Sequence, residues 1–162
     1  MLFRFVGNVD SDRRDCKMLL IDREIRELCQ KPEPLINPFS EAVSGNGIIS
    51  YGLTSAGYDL RLGKKILLFK KDEDQLHAVW GIKNIIDPKK FREEGYTEQI
   101  FSEFTCNYEV ILPPHSYVLG YSLEYLRIPE NIKGHCFGKS TLARSGILIN
   151  TTPLEPEWCT SP

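Results

Sequence analysis

The chain has 162 residues, with 20 lysines and arginines against 22 aspartates and glutamates, and a formal net charge of -2. Hydrophobic residues make up 41% and charged residues 26%, which excludes intrinsic disorder and collagen-like repeats and predicts a soluble globular protein. The near-neutral balance argues against a broad nucleic-acid-binding surface, whereas a small anionic ligand needs only a few well-placed cations.

The N-terminal segment, residues 1–17, is charged and aperiodic, and we expect it to form a loose extension ahead of a single domain over residues 18–162. It is too polar after Val6 for a signal peptide, and no apolar run reaches the roughly 20 residues of a membrane span. The five cysteines show no Cys-x-x-Cys spacing and are expected to be reduced thiols. These features predict a cytoplasmic protein without a membrane partner.

A short helix is predicted at residues 20–29, because Ile21, Ile25 and Leu28 have the i, i+4, i+7 spacing of an apolar helix face. Asp22 is the expected N-cap of this helix. Prolines follow soon after and prevent the helix from continuing.

Short β-like segments separated by Gly, Pro and Asn make up most of the remaining chain, a pattern typical of a barrel or sandwich rather than of βαβ units. A charged, aperiodic connection is expected over residues 72–104, with a short helix near residues 88–94. The predicted strands are residues 47–51, 58–62, 65–69, 108–112, 117–123, 132–137 and 146–150.

The segment of residues 138–146 concentrates two cations and three hydroxyl groups between two glycines. Glycine lets backbone N–H groups approach an oxyanion, Arg144 can contact two oxygens at once, and Lys139 supplies a point charge. This composition predicts a phosphate-binding loop, and a solvated turn with incidental charges is the alternative. A Walker A loop is not supported, because Lys133 stands where its first glycine would be needed.

A second cluster lies at residues 51–62, where two glycines and small residues lead into a strand carrying Asp59 and Arg61. Residues two apart in a strand lie on the same face. The cluster is therefore either part of a binding site or a structural turn in which Asp59 and Arg61 make a surface contact.

Together these segments resemble bacterial dCTP deaminases, which belong to the trimeric dUTPase-like superfamily. The resemblance rests on residues 51–63, 112–116, 124–129, 138–146 and 150–158, in that order along the chain. It implies a mainly β fold, namely a distorted β-barrel of the dUTPase-like (β-clip) type with a short N-terminal helix.

The resemblance also implies an activity, the hydrolytic deamination of dCTP to dUTP and ammonia, in a homotrimer whose active sites are shared between neighbours. Mg²⁺ would be carried by the triphosphate and not held by the protein. Ser140 and Arg144 would lie closest to the reacting centre, and Lys139 would meet the triphosphate. The nucleotide-binding residues so implied are Lys139, Ser140, Thr141, Leu142, Ala143 and Arg144.

A deaminase built on this chain is expected to work without zinc. Zinc-dependent nucleobase deaminases need His-x-Glu together with Pro-Cys-x-x-Cys, and the three histidines, at 77, 115 and 135, match neither half of that signature. A carboxylate would then have to deprotonate the attacking water and pass the proton to the leaving ammonia.

The resemblance places the family's general-base glutamate beyond Pro162, and residues 159–162 already depart from the family pattern. The chain is therefore expected to be truncated or frameshifted after Trp158. Glu155 and Glu157 are nearby carboxylates, which we interpret as shaping a proline-rich turn.

Two other functions stay open on the sequence. A dUTP diphosphatase of the same superfamily shares residues 55–60 and the Ser-x-Leu-Ala pattern at residues 140–143, although residues 149–153 lack its water-activating aspartate. A non-catalytic nucleotide-binding protein is the alternative of a different class, in which the loop keeps its affinity for triphosphates without turnover.

Overall fold

The computed structural model describes residues 2–8, 17–69, 89, 97–99, 110–114 and 116–159. The chain divides into two compact units, one formed by Met1–Leu62 with Ser122–Pro162 and the other by Gly63–Tyr121. The described residues form eleven short strands and two helices, so the prediction of a mainly β fold with a short N-terminal helix is confirmed. Closure of the strands into a barrel and the single domain over residues 18–162 stay predictions.

The strands are short, as the frequent Gly, Pro and Asn residues predict. The two helices are α1 (Asp22–Cys29) and α2 (Ser140–Arg144). In chain order the strands are β1 (Leu2–Asn8), β2 (Lys17–Leu19), β3 (Ile36–Asn37), β4 (Val43–Gly45), β5 (Ile48–Thr54), β6 (Gly57–Asp59), β7 (Leu62–Phe69), β8 (Thr97–Gln99), β9 (Val118–Ser122), β10 (Tyr125–Leu126) and β11 (Ile132–Phe137).

The first unit is built on a sheet in the order β11-β1-β6-β5-β4, with β2 also paired to β1. Strand β1 runs antiparallel to both of its neighbours in this order, with Leu2 opposite Phe137 on β11 and opposite Asp59 on β6. The expectation of a loose extension over residues 1–17 is therefore wrong for Leu2–Asn8. Phe5 is fully buried in the core, and most of the charged residues that suggested an extension come after this strand.

Helix α1 confirms the helix predicted for residues 20–29, but its N-cap is Ile21 and not Asp22. Asp22 is the first helical residue, and the Glu24 carboxylate accepts the backbone N–H of Ile21 at 2.8 Å. That hydrogen bond satisfies one of the free N–H donors at the start of the helix. Asp22 stabilises the helix through the interaction of its negative charge with the helix dipole. Ile25 is fully buried, as the apolar spacing predicts.

The core of the first unit gathers side chains from β1, α1, the following loop, β5, β6 and β10 onward, so the two ends of the chain share one apolar interior. Strands β3 and β10 pair beside it, and isolated bridges join Gly134 to Leu154 and Arg127 to Cys159. The buried residues of this core are Phe5, Leu20, Ile25, Leu35, Ile36, Leu53, Tyr58, Leu60, Leu126, Ile128, Ile132 and Leu154.

The second unit contains a sheet in the order β8-β7-β9, in which the Phe69 N–H donates to the Tyr117 carbonyl at 3.1 Å. Strand β8 lies within the segment expected to be an irregular connection. The helix expected near residues 88–94 lies outside the described residues, apart from a turn at Lys89. Within the described part of the chain, neither helix is long and apolar enough to cross a membrane.

The strand predictions succeed unevenly. Residues 132–137 match β11 at both ends, and the strands predicted at 47–51, 65–69 and 117–123 overlap β5, β7 and β9. The strand predicted at 58–62 is split, because β6 ends at Asp59 and β7 begins at Leu62.

Two predicted strands fail. Residues 146–150 are irregular, and residues 110–112, the described part of the strand predicted at 108–112, are irregular as well. Both segments have the apolar content of a strand but lie largely exposed, so burial does not reinforce their local β-propensity.

Candidate functional site

The predicted phosphate-binding loop directly follows β11 and contains α2, a helix of five residues (Ser140–Arg144). Its N-cap is Lys139, whose extended backbone (φ -80, ψ 141) turns the chain out of the strand and whose carbonyl accepts the Ala143 N–H at 3.0 Å. The helix ends at Arg144, Ser145 is its C-cap, and Gly146 follows with a φ of 79 that favours glycine. A single helical turn after a strand is too short for a P-loop helix, in agreement with the failed Walker A spacing.

Ser140 and Arg144 lie together on the exposed side of this turn. The Arg144 guanidinium donates from Nη2 to the Ser140 Oγ and from Nε to the Ser140 carbonyl, both at 3.3 Å. Their i, i+4 spacing accounts for the contact. The structure therefore brings the two residues expected nearest to the reacting centre into one exposed pair.

Thr141, Leu142 and Ala143 lie between these two residues in the helix. Thr141 accepts the Ser145 hydroxyl at its carbonyl at 3.0 Å, which stabilises the end of the turn. Leu142 is half-buried and Ala143 is exposed. These residues shape the loop, and their expected part in nucleotide binding stays a prediction.

Lys139 points into the protein and makes three hydrogen bonds there. Its Nζ donates to the carbonyl and to the Oγ of Ser50 at 2.7 Å each, and to the Asp59 carboxylate. The Lys139 and Asp59 side chains are only 16% and 10% exposed. An ammonium group has three N–H donors, and all three have acceptors here. That Lys139 meets a triphosphate stays a prediction.

The second cluster contains two separate ion pairs rather than a contact between Asp59 and Arg61. Asp59 binds Lys139, whereas Arg61 donates from Nε to Glu124 at 2.6 Å and from its backbone N–H to the same carboxylate at 3.0 Å. Strand β6 ends at Asp59, so the two-residue alternation assumed for the pair does not extend to Arg61. The suggested surface contact between them is wrong.

Glu124 is fully buried, and its carboxylate is compensated by Arg61. The Arg61 guanidinium also lies 4.8 Å from the centre of the Tyr51 ring, a cation–π contact. Burial alone would lower the pKa of Arg61, but its hydrogen bond and charge interaction with Glu124 raise the pKa above its usual value. This pair stabilises the fold, and each Glu124 carboxylate oxygen accepts a hydrogen bond from Arg61.

Tyr58 and Gly52 hold the same strands against the preceding segment. The buried Tyr58 hydroxyl accepts the Ser40 N–H at 2.9 Å, and burial raises the pKa of Tyr58 to about 12. Gly52 has a φ of 92, and a Cβ there would come within 2.2 Å of the Glu41 carbonyl oxygen. Only glycine fits this close approach.

The carboxylates after the loop behave as expected for a turn. Glu155 pairs with Lys133 at 3.1 Å and accepts the Trp158 N–H at its carbonyl at 3.1 Å. Glu157 is exposed and has a φ of 65. In the described residues no three His, Cys, Asp or Glu side chains cluster as metal ligands. His77 and His115 lie outside those residues, and zinc-independence stays a prediction.

Sequence reasoning missed Ser50 and Glu124 as parts of this region. Ser50 carries no motif that could have marked it. Glu124 follows a strand of alternating apolar residues, and a carboxylate directly after such a strand needs a cation when it is buried. In the structure Arg61 is that cation.

Comparison with known proteins gives consistent matches. A family model described as dCTP deaminase-like matches residues 19–161. A dCTP deaminase of Acidithiobacillus ferrooxidans is 43% identical over 141 residues, covering 85% of this chain and 66% of its own length. Those of Acidobacterium capsulatum and Helicobacter hepaticus are 43% and 40% identical over 137 residues, covering 85% of this chain and 66% and 65% of theirs. The chain spans about two thirds of the length of the curated relatives it matches.

Proposed function

Because the chain belongs to the dCTP deaminase-like family, we propose that it serves the zinc-independent hydrolytic deamination of dCTP to dUTP and ammonia. This reaction supplies the dUTP and dUMP that precede thymidylate in pyrimidine deoxynucleotide biosynthesis. The relatives that carry the name dCTP deaminase cover 85% of this chain, and the family model spans both clusters of candidate residues.

The exposed pair of Ser140 and Arg144 is the observation that carries this proposal. A hydroxyl group and a guanidinium group 3.3 Å apart present several donors to an incoming anion or to a developing negative charge. Neither side chain is used to stabilise the interior. We therefore propose that residues 139–144 form the nucleotide-binding loop, with Ser140 and Arg144 nearest to the pyrimidine, and with Mg²⁺ carried by the triphosphate.

The proton transfers need a carboxylate. Water attacks C4 of the cytosine ring as one of its protons passes to the carboxylate, and a tetrahedral intermediate forms. The carboxylate gives this proton to the amino group, which leaves as ammonia. The remaining hydroxyl proton moves to ring N3, so that C4 becomes the carbonyl of dUTP. Arg144 would stabilise the charge that develops on the ring. The family resemblance implies a glutamate for this role, at a position after the 162 residues.

A cytoplasmic homotrimer with shared sites is the proposed assembly. Its support is a set of large apolar side chains that lie exposed on the first unit, among them Phe137, Ile147, Leu148 and Trp158, which are 48%, 42%, 89% and 46% exposed. A partner subunit would remove such side chains from water. Analytical ultracentrifugation tests the assembly, and a monomer at assay concentration contradicts it.

The activity is tested by incubating the purified chain with dCTP and Mg²⁺, while chromatography follows the nucleotides and a coupled assay follows ammonia. The proposal predicts dUTP and ammonia in equal amounts, lost in Arg144→Ala and kept in Arg23→Ala, an exposed arginine of α1. Formation of dUMP and pyrophosphate from dUTP without ammonia would instead identify a dUTP diphosphatase.

Binding without turnover defines the remaining alternative. A nucleotide that binds only the folded state raises the melting temperature. A melting temperature raised by dCTP without any product would identify a non-catalytic nucleotide-binding protein. A chain that neither binds nor converts dCTP would refute the proposal for this polypeptide.

A further inference from the structure

We propose that Asp59 and Ser50 are positioning residues, which hold the Lys139 ammonium group inside the protein and thereby fix the orientation of the nucleotide-binding loop. Lys139 then acts as an internal anchor and not as a ligand of the triphosphate. The inference rests on the proposed function of residues 139–144 as a nucleotide-binding loop.

The first argument is the number of donors. The ammonium group has three N–H donors and no acceptor. It spends all three on Ser50, through the carbonyl and Oγ at 2.7 Å each, and on the Asp59 carboxylate. A phosphate oxygen could bind Lys139 only by displacing one of these acceptors.

The second argument is charge burial. Asp59 is 10% exposed at its side chain, and Lys139 is the cation that compensates it. If Lys139 turned outward to a ligand, the Asp59 carboxylate would stay buried without a partner, which is strongly unfavourable. Arg144 carries no such commitment, since the hydrogen bonds it makes within the described residues go to neutral oxygen atoms of Ser140.

The third argument is the position of Lys139 in the loop. It is the N-cap of α2, and its carbonyl accepts the first hydrogen bond of that helix. Ser50 lies on β5 and Asp59 on β6, neighbouring strands of the main sheet of the first unit. The side chain therefore ties the start of a five-residue helix to two strands, and any movement of this anchor also moves Ser140 and Arg144.

The test compares the affinities of the full chain for dCTP and dCMP, measured by isothermal titration calorimetry. As an anchor, Lys139→Ala should weaken both nucleotides by about the same factor, on the order of tenfold. Asp59→Asn should reproduce the loss. The double variant of Lys139→Ala and Asp59→Asn should bind no more weakly than the weaker-binding of the two single variants, because both changes break the same ion pair. Lys139→Arg should restore most of the affinity.

A phosphate ligand predicts a different pattern. Lys139→Ala would then weaken dCTP far more than dCMP, and Asp59→Asn would leave both affinities near those of the unchanged chain. That result overturns the proposal. Lys133→Ala is the matched control, a lysine of β11 whose exposed ion pair with Glu155 is 3.1 Å long, and it should change neither affinity.

Two further measurements distinguish loss of the anchor from misfolding of a variant and from a chain that does not bind nucleotides at all. Ser50→Ala removes only the Oγ contact and should give a smaller loss of the same kind for both nucleotides. Hydrogen exchange of the peptide covering residues 138–146 should accelerate in Asp59→Asn but not in Lys133→Ala, even in a chain that binds no nucleotide. Unchanged exchange in Asp59→Asn refutes the anchor whatever the binding results.

Discussion

Removing the cation of the buried Arg61–Glu124 pair should destabilise the protein far more than neutralising its anion. Glu124 is fully buried, whereas the Arg61 side chain is 30% exposed. Arg61→Ala leaves the Glu124 carboxylate in the interior with a single remaining hydrogen bond, from the backbone N–H of residue 61. Glu124→Gln instead leaves an arginine that water can reach.

The magnitude follows from this asymmetry. Breaking a buried ion pair by removing one partner costs about 3–5 kcal/mol, and the retained backbone hydrogen bond places Arg61→Ala near the lower end. Loss of the contact with the Tyr51 ring adds about 0.5–1 kcal/mol. Glu124→Gln keeps the volume and an acceptor and should cost about 1–2 kcal/mol. At about 3 °C per kcal/mol, Arg61→Ala should lower the melting temperature by about 10 °C.

Urea unfolding of the full chain, followed by far-UV circular dichroism, measures these differences. Arg23→Ala is the control, because the Arg23–Glu27 pair is long, at 3.8 Å, and both side chains are mostly exposed. The expected order of destabilisation is Arg61→Ala, then Glu124→Gln, then no resolvable change for the control. A free energy of unfolding for Arg61→Ala within about 1 kcal/mol of the unchanged chain, or a larger loss in Glu124→Gln, would refute the argument.

Three other perturbations have defined outcomes. Arg144→Ala should weaken dCTP binding by about 1.5–3 kcal/mol in calorimetry, the range of charged hydrogen bonds, and an unchanged affinity contradicts the role given to the loop. Gly47→Ala should lower the free energy of unfolding in urea by about 1–2 kcal/mol, because φ is 78 there and no atom lies near the new Cβ. Gly52→Ala should lower it clearly more, because its Cβ would also collide with the Glu41 carbonyl. Equal losses for the two variants would contradict this argument. Burial raises the pKa of Tyr58 from 10.0 to about 12, so the folded state keeps the phenol proton to a higher pH than the unfolded state does. The stability that Tyr58 contributes is therefore complete below pH 10 and is lost between pH 10 and 12. In Tyr58→Phe the free energy of unfolding should fall less steeply over that range.

Local sequence patterns predicted those elements that a few neighbouring residues are enough to define. Strand β11 was located at both ends because Asn131 and Gly138 flank a short β-like segment. Helix α1 was located nearly as well, because its i, i+4 spacing is visible within a few residues. Composition predicted a phosphate-binding loop at residues 138–146, and the family resemblance implied residues 139–144 as nucleotide-binding, a role that stays a prediction. The N-terminal strand β1 was missed because its burial depends on β6 and β11, which lie far along the chain.

The partners inside the site could not be predicted, because they join distant residues. Lys139 binds Ser50 and Asp59, 89 and 80 positions away, and Arg61 binds Glu124, 63 positions away. The sequence showed only that charged residues stand near glycines. It left a contact between Asp59 and Arg61, two positions apart, as one of two alternatives. Which cation faces which carboxylate is decided by the pairing of strands β5 and β6 and by the place where β6 ends.

The cations of the two sequence clusters therefore have different roles, although they have the same charge. Arg61 and Lys139 each face a buried carboxylate, and each pair makes the interior nearly neutral. Arg144 faces only hydroxyl and carbonyl oxygens of its own loop in the described part of the chain. A triphosphate is attracted by charge that is not already compensated, so within these clusters Arg144 dominates the attraction while the two internal pairs fix where it stands.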